Sequence, residues 1–213
     1  MIERTAKYIF NKHAIKYQEQ FMHVDLFKKS LNLFCREINK SDAKILDIGC
    51  GPGNISQHLI NQNKDYQVLG IDIAPKMIEL AQINNPSAQF RIMDCKNISQ
   101  LNDRYDGIVS GFCLPYLSQS ETIEFISQAT VLLNPKGVLY ISTMEDDYDK
   151  SGLVGSSSGG EDATSIYYYK AEFLTQLLIK NDFDIIDIQK QSHPHYKNKT
   201  TKDIIIIAKK RGL

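Results

Sequence analysis

The sequence predicts an α/β domain with a doubly wound, mostly parallel sheet and a helical cap at its N-terminus, and three observations predict it. Apolar segments near 44–48, 67–71, 88–92, 106–110 and 137–143 alternate with helical patterns near 54–62, 75–84 and 119–133, and that alternation implies parallel strands joined by helical crossovers. The first strand runs into glycines at alternate positions, Gly49, Gly51 and Gly53, and then into a helix. Without Cβ atoms the backbone there can turn sharply and let a nucleotide-type ligand lie against bare peptide groups. Ahead of the sheet, Tyr17, Phe21, Val24, Phe27, Leu31, Phe34 and Ile38 recur at spacings of three and four, the pattern of one apolar face on a helix or helix pair.

Several boundaries carry a physical marker. Pro75 opens the second helix, where its missing N–H costs nothing. Ser118 and Glu121 have capping-box spacing before the apolar positions Ile123, Phe125, Ile126 and Ala129, and Asn134-Pro135 stops that helix. Residues 145 to 165 are rich in Asp, Gly and Ser and are longer than compact-domain connections usually run, so either a lid or a disordered segment is expected. A helix follows over 170–181, with Phe173, Leu174, Leu177 and Leu178 on one face, and the β-rich runs 183–188 and 203–208 can pair antiparallel. The expected organisation is one domain over 1–213: cap 1–40, ligand-binding core 41–145, lid 146–169, and a C-terminal helix and hairpin over 170–213.

The ligand class follows from what surrounds the glycines. A dinucleotide fingerprint needs Gly-x-Gly-x-x-Gly, but the sixth position is Asn54 counted from Gly49 and Ser56 counted from Gly51. Asp72 ends the second apolar run, where a carboxylate can accept both hydroxyls of a ribose, a requirement shared by NAD and S-adenosylmethionine. Asp47, two residues before the glycines, would repel a pyrophosphate but suits an ammonium and a sulfonium. The stretch Ile45 to Ser56 resembles motif I of the class I S-adenosylmethionine-dependent methyltransferases. The similarity continues in order through Asp72, Arg-Ile-Met-Asp94-Cys95, Asp106-Gly-Ile-Val-Ser110-Gly111 and Leu-Leu-Asn-Pro-Lys-Gly137-Val-Leu, covering roughly residues 40 to 145. The resemblance implies a seven-stranded sheet in the order 3-2-1-4-5-7-6, with one reversed strand near the edge. It also implies S-adenosylmethionine as methyl donor and S-adenosylhomocysteine as product.

On this resemblance Gly49, Cys50, Gly51 and Gly53 form the cofactor cradle, and Asp47 lies near the methionine moiety or fixes the loop amides from behind. Cys50 has nothing basic beside it, so its thiol is read as packing rather than as a nucleophile. Asp72 binds the ribose, or is an ordinary strand-end aspartate beside Pro75. Ile73 packs on adenine or faces the core, and Met77 is grouped with it. Asp94 meets the adenine amine, with the Cys95 N–H toward a ring nitrogen, or else is a turn aspartate. Ser110, Gly111 and Phe112 line the reactive end. Acceptor candidates are Tyr17, Phe21 and Tyr116, followed by His13, His23, Tyr148, the run Tyr167 to Tyr169, and His193 and His195. Amino-group methyltransferases acting on nucleic-acid bases or protein glutamine resemble Asp/Asn-Pro-Pro-Tyr/Phe at the fourth strand's exit. This chain reads Ser110-Gly-Phe-Cys-Leu-Pro-Tyr116, which disfavours that acceptor class.

Composition agrees. The 213 residues are 42% hydrophobic, enough for one sizeable core. Lys+Arg and Asp+Glu balance at 25 each, so no overall field draws the protein to nucleic acid or an anionic membrane, and a small acceptor is expected. Cys35, Cys50, Cys95 and Cys113 show neither metal-ligand nor disulfide-framework spacing. With no signal-like N-terminus and no long apolar run, cytoplasmic residence is expected. Two rival readings remain at this level: a binding protein that keeps the pocket without catalysis, and a nicotinamide-dependent oxidoreductase.

Overall fold

The computed structural model describes residues 2–155, 161–192 and 202–212; the acceptor candidates His193 and His195 lie outside them. Five strands, β2 (Lys44–Ile48), β3 (Gln67–Asp72), β4 (Gln89–Ile92), β5 (Tyr105–Gly111) and β6 (Leu133–Glu145), run parallel. β9 (Phe183–Gln191) and β10 (Lys202–Lys210) complete the sheet in the order β4-β3-β2-β5-β6-β10-β9, with β10 antiparallel to both its neighbours. Numbered along the sheet's own strands this is 3-2-1-4-5-7-6, the order implied by the resemblance.

The crossovers are α4 (Asn54–Gln62), α5 (Pro75–Asn84) and α6 (Gln119–Leu132), and α7 (Ala171–Lys180) precedes the hairpin. Pro75 occupies the first turn of α5, and the capping box at Ser118 and Glu121 forms in full, each side chain bonding the other's backbone N–H. β10 shows why its sequence is continuously apolar. Ile204 and Ile206 pack with Phe125, Ile126, Leu174 and Leu178 on one side of the sheet. Ile205 and Ile207 pack with Leu31, Phe34 and Tyr140 on the other. A strand covered on both faces needs apolar side chains at successive positions.

The helical preface is broken into more pieces than its periodicity suggests: α1 (Ala6–Lys12), α2 (Ala14–Phe21), a 3-10 turn over Asp25–Phe27, and α3 (Lys28–Ile38). Only α3 packs its face deeply, through Leu31 and Phe34, and it ends on Asn39 in the left-handed region. Among the described residues no helix is long and apolar enough to cross a membrane.

The segment expected to be a loop or lid over 146–169 carries, among its described residues, β7 (Gly152–Gly155) and β8 (Asp162–Ile166), an antiparallel pair joined by β1 (Ile2–Glu3), which runs parallel to β8. Leu153 pairs opposite Ser165 and Val154 opposite Thr164. The polar composition concealed the strands because β7 is half exposed, and because β8's partner comes from the far N-terminus. Asp162 ties the pieces together, accepting from Arg4 Nε at 3.3 Å and Lys12 Nζ at 2.5 Å.

Candidate functional site

The parallel strands end at one edge, where strand-to-helix turns and the N-terminal helices enclose a cavity of about 360 Å³. Its floor is the glycine loop. The N–H groups of Gly49 and Cys50 donate to Ile71 O at 2.8 and 2.9 Å, so the loop leaves β2 pinned to β3. Gly51, in the left-handed region at φ 54°, donates its N–H to Asp72 Oδ2 at 3.0 Å. The other oxygen, Asp72 Oδ1, accepts from Ala74 N at 2.8 Å. Burial pushes this carboxyl up from its ordinary range, and the N–H groups of Ala74, Gly51 and Ile73 oppose that. Each oxygen retains a further lone pair, so the carboxylate is held in place and still able to accept.

Of the residues singled out in the sequence, Tyr17, Gly49, Gly51, Asp72, Ile73, Met77, Asp94, Cys95, Gly111, Phe112 and Tyr116 line this cavity. Asp94 caps the 3-10 turn Cys95–Gln100, its Oδ1 accepting from Lys96 N at 2.9 Å. Phe112 also has a left-handed backbone, φ 54°, fixed by its N–H on Ser142 O at 3.0 Å and Ser142 Oγ at 3.1 Å. Holding a non-glycine residue there costs about 1–2 kcal/mol.

Asp47, Cys50, Gly53, Ser110 and Phe21 fall outside the lining. Asp47 is buried behind the loop, where Oδ2 accepts from Ser56 Oγ at 2.6 Å and Oδ1 has no partner. Burial raises its pKa to about 7, against the lowering effect of the Ser56 hydroxyl and N–H. Cys50 is buried, with Sγ on Gly51 O at 3.7 Å, and burial pushes its thiol well up. Gly53 is the N-cap of α4. A Cβ there would lie 2.3 Å from Asn85 Nδ2, so the glycine serves the close approach of α4 to α5 rather than ligand contact. Ser110 faces the core. Phe21 stands behind Tyr17, ring centroids 4.7 Å apart. Its helical spacing from Tyr17 places the two on one face, but only the first reaches the opening.

Tyr17 lies over the glycine loop, with Cε1 3.6 Å from where a Cβ on Gly51 would stand. Burial, followed by the carboxylates of Asp72 and Asp47, pushes its hydroxyl up to about 12. Phe10 meets the rings of both Tyr17 and Tyr116 edge-on, at 5.6 and 5.1 Å. The start of α1 contributes Thr5, Ala6 and Lys7 to the wall, and Met93, Lys96, Cys113 and Leu117 complete it. Nothing in Thr5-Ala6-Lys7 marks a ligand wall in sequence, because the mini-sheet with β8 is what brings it there.

A second cavity of about 300 Å³ adjoins the first and shares Thr5, Ala6 and Tyr116 with it. Glu3, Arg4, Glu121, Thr164, Ser165 and Tyr167 line the remainder. Within the tyrosine run, Tyr167 reaches this second cavity. Tyr169 is instead buried in the core, donating to Leu117 O and paired with Thr122 Oγ1 at 3.0 Å.

A parallel sheet in this order, with a glycine loop braced by a strand-end aspartate beneath a capped cavity, defines an S-adenosylmethionine-binding α/β domain of the Rossmann-like type. Residues 17–188 match a family described as "Methyltransferase domain", and the chain belongs to the class I S-adenosylmethionine-dependent methyltransferases. It is similar to a putative methyltransferase, 235L, of Invertebrate iridescent virus 6, at 39% identity over 77 residues, which is 36% of this chain and 29% of that protein. The chain thus spans under a third of that relative. It is 29% identical over 153 residues to the uncharacterized methyltransferase YrrT of Halobacillus halophilus, covering 68% of this chain and 71% of the other. A crystal structure of a SAM-dependent methyltransferase from Methanosarcina mazei superposes with TM-score 0.69 at 24% identity, over 82% of this chain and 95% of that one. That likeness shows the fold.

Proposed function

We propose that this protein moves the methyl group of S-adenosylmethionine to a small-molecule acceptor by direct displacement, releasing S-adenosylhomocysteine. The observation that carries the reading is the Asp72 carboxylate, braced by Gly51 N–H and Ala74 N–H on the wall of the larger cavity. It offers its remaining lone pairs to a ribose diol. Ile73 and Met77 give adenine an apolar face, and Asp94 accepts from its amine. The glycine loop takes the amino-acid end. Asp47, buried behind the loop with Oδ1 unpartnered, favours an ammonium above the loop through its charge rather than by contact.

When bound, the donor supplies a methyl on a positively charged sulfur that leaves readily as a thioether. The protein's part is therefore alignment and dryness. Tyr17 and Phe10 keep water from the loop, and Phe112, left-handed at φ 54°, turns the chain at the β5 exit on the cavity wall. The second cavity is the place for the acceptor, entered past Tyr116, and its mixed polar walls favour a small polar molecule. A base is required only where the acceptor must first lose a proton, and Tyr116, at the junction, is best placed to orient it.

The test begins with binding. Calorimetry should give saturable S-adenosylhomocysteine binding and none for NAD. Labelled methyl donor should then be turned over with an acceptor from a panel of small oxygen, nitrogen and carbon nucleophiles. NAD binding in place of S-adenosylhomocysteine would favour the oxidoreductase reading. Tight donor binding without turnover on any acceptor would favour a binding protein.

A further inference from the structure

The smaller cavity has charged groups of both signs on its wall, and the two with hydrogen-bonding capacity left unused are neighbours in the chain, Glu3 and Arg4. β1 brings them there. Glu3 pairs with Ala163 of β8, and the Arg4 N–H donates to Ala163 O at 2.7 Å. The Arg4 guanidinium is held twice: Nε donates to Asp162 Oδ1 at 3.3 Å, and its central carbon lies 4.8 Å over the Tyr8 ring. Neither contact uses the two terminal nitrogens, and no described residue bonds them. Glu3 is half used in the same way. Its Oε1 accepts from Ser165 Oγ at 3.2 Å, and no described residue donates to Oε2 or pairs Glu3 with Arg4. The third charge on the wall, Glu121, is already engaged, accepting from Ser118 N at 2.8 Å and from Lys96 Nζ at 3.2 Å.

We propose that the acceptor is a zwitterion of the α-amino-acid type, its carboxylate taken by the terminal nitrogens of Arg4 and its ammonium by Glu3, with a third group reaching past Tyr116 to receive the methyl. This rests on the reading of the larger cavity as the donor site and the smaller as the acceptor site. A guanidinium fixed through Nε and one face suits a planar carboxylate, because its two terminal N–H donors are parallel and already oriented. A carboxylate with one oxygen tethered and the other open suits an ammonium. Opposite charges side by side also select against simpler molecules. A plain amine would leave Arg4 without a partner and a plain acid would leave Glu3 without one, whereas a molecule with both signs matches both. The rings of Tyr116 and Tyr167 wall the remainder of it.

The held ammonium is not the nucleophile. Beside a carboxylate it keeps its proton, so its lone pair is not available and the methyl goes to another atom of the molecule. A lone pair on that third group forms the new bond to the methyl carbon. The electron pair of the breaking carbon–sulfur bond stays on sulfur as the thioether, and a proton carried by the nucleophile is released to water. The smaller cavity shares Thr5, Ala6 and Tyr116 with the larger one, so a molecule anchored at Glu3 and Arg4 has the junction ahead of it.

The experiment is calorimetry on the full chain saturated with S-adenosylhomocysteine, titrated with the standard amino acids and with the carboxamide and N-acetyl derivative of each. At least one free amino acid should bind saturably, and both its derivatives should bind about tenfold or more weakly. Arg4→Lys keeps a cation beside Asp162 and removes the paired nitrogens, so it should weaken the amino acid and leave its carboxamide unchanged. Glu3→Gln keeps the shape and removes the charge, so it should weaken the amino acid and leave its N-acetyl derivative unchanged. Both variants should keep wild-type affinity for S-adenosylhomocysteine, which separates loss of the anchor from loss of the fold. Binding of no amino acid by a protein that binds S-adenosylhomocysteine overturns the proposal, and so does an amino acid whose derivatives bind equally well. If the protein binds no S-adenosylhomocysteine, the donor reading fails, and the same titrations on the ligand-free protein and its two variants decide the Glu3 and Arg4 site by themselves.

Discussion

The backbone N–H of Gly51 donates to Asp72 Oδ2 at 3.0 Å, bridging the exits of two adjacent parallel strands. One side chain therefore shapes the loop and forms part of the ligand wall. Asp72→Ala removes the loop's brace and the acceptor proposed for the ribose together. S-adenosylhomocysteine affinity should drop by about 1–3 kcal/mol, while the melting temperature changes little because the sheet is untouched. Asp72→Asn keeps one acceptor oxygen and should fall between. Wild-type affinity in Asp72→Ala by calorimetry would place the ribose elsewhere.

Two of the glycines answer to different demands, and substitution should separate them. Gly51→Val places branched carbons on the cavity floor, beside Tyr17 Cε1 at 3.6 Å from the Cβ position, at a left-handed φ of 54°. Binding should vanish at a stability cost of about 1–2 kcal/mol. Gly53→Ala drives a Cβ to 2.3 Å from Asn85 Nδ2 and 3.3 Å from Ala81 Cα. It also disturbs the Asn85 hydrogen bond to Gly53 O, 3.0 Å. Stability should fall by about 2–3 kcal/mol, with the affinity of the folded fraction largely kept. Equal losses of melting temperature in both variants would contradict this division.

Asp47 predicts a trade between stability and binding that depends on pH. Burial raises its folded-state pKa to about 7, above the ordinary aspartate range, so the native state holds the proton longer than the unfolded chain. Its contribution to stability is most favourable below about pH 4 and is lost as pH rises through about 7. Above that, the cost of the buried charge is on the order of 4 kcal/mol. Asp47→Asn should therefore raise the melting temperature at pH 8, with the difference shrinking toward pH 5. The same variant should bind S-adenosylhomocysteine more weakly, and wild-type affinity should fall as pH drops below 7. A pH-independent stability difference would show that Asp47 keeps its charge throughout.

The central sheet was legible because its signals are local and redundant. β2, β3 and β5 are apolar runs each followed by a crossover helix, and Pro75 and the Ser118–Glu121 capping box mark helix starts without help from distant residues. Asp72, Gly49 and Gly51 were legible for the same reason, since a strand-end carboxylate and a glycine turn announce themselves in a few residues. The mini-sheet was not, because β1 has two residues and its partner lies some 160 positions away. Thr5, Ala6 and Lys7 were missed with it. Phe21 and Tyr17 share a helical face, and only three-dimensional packing decides which of them reaches the opening.

The mini-sheet yields the last prediction. Asp162 is mostly buried and accepts from Lys12 at 2.5 Å and Arg4 at 3.3 Å, while the Arg4 guanidinium also lies 4.8 Å over the Tyr8 ring. The Lys12 contact, followed by Arg4, holds the carboxyl below its ordinary range. Between these two cations lie Thr5, Ala6, Lys7 and Phe10, all on the cavity wall. The wall is thus fastened at both ends to one carboxylate of β8. Asp162→Asn keeps the side chain's size and removes the charge that fastens it. Hydrogen exchange should accelerate in residues 2–12 and 162–166 and stay unchanged in β2 to β6. S-adenosylhomocysteine should bind more weakly, and the protection it confers on residues 5–17 in the wild type should be reduced. If exchange over 2–12 is the same in the variant and the wild type, Asp162 does not fasten the cap. If ligand protects only the glycine loop and Asp72 in the wild type, the cap does not respond to the donor, and the acceptor's approach must be sought at Pro115 and Tyr116.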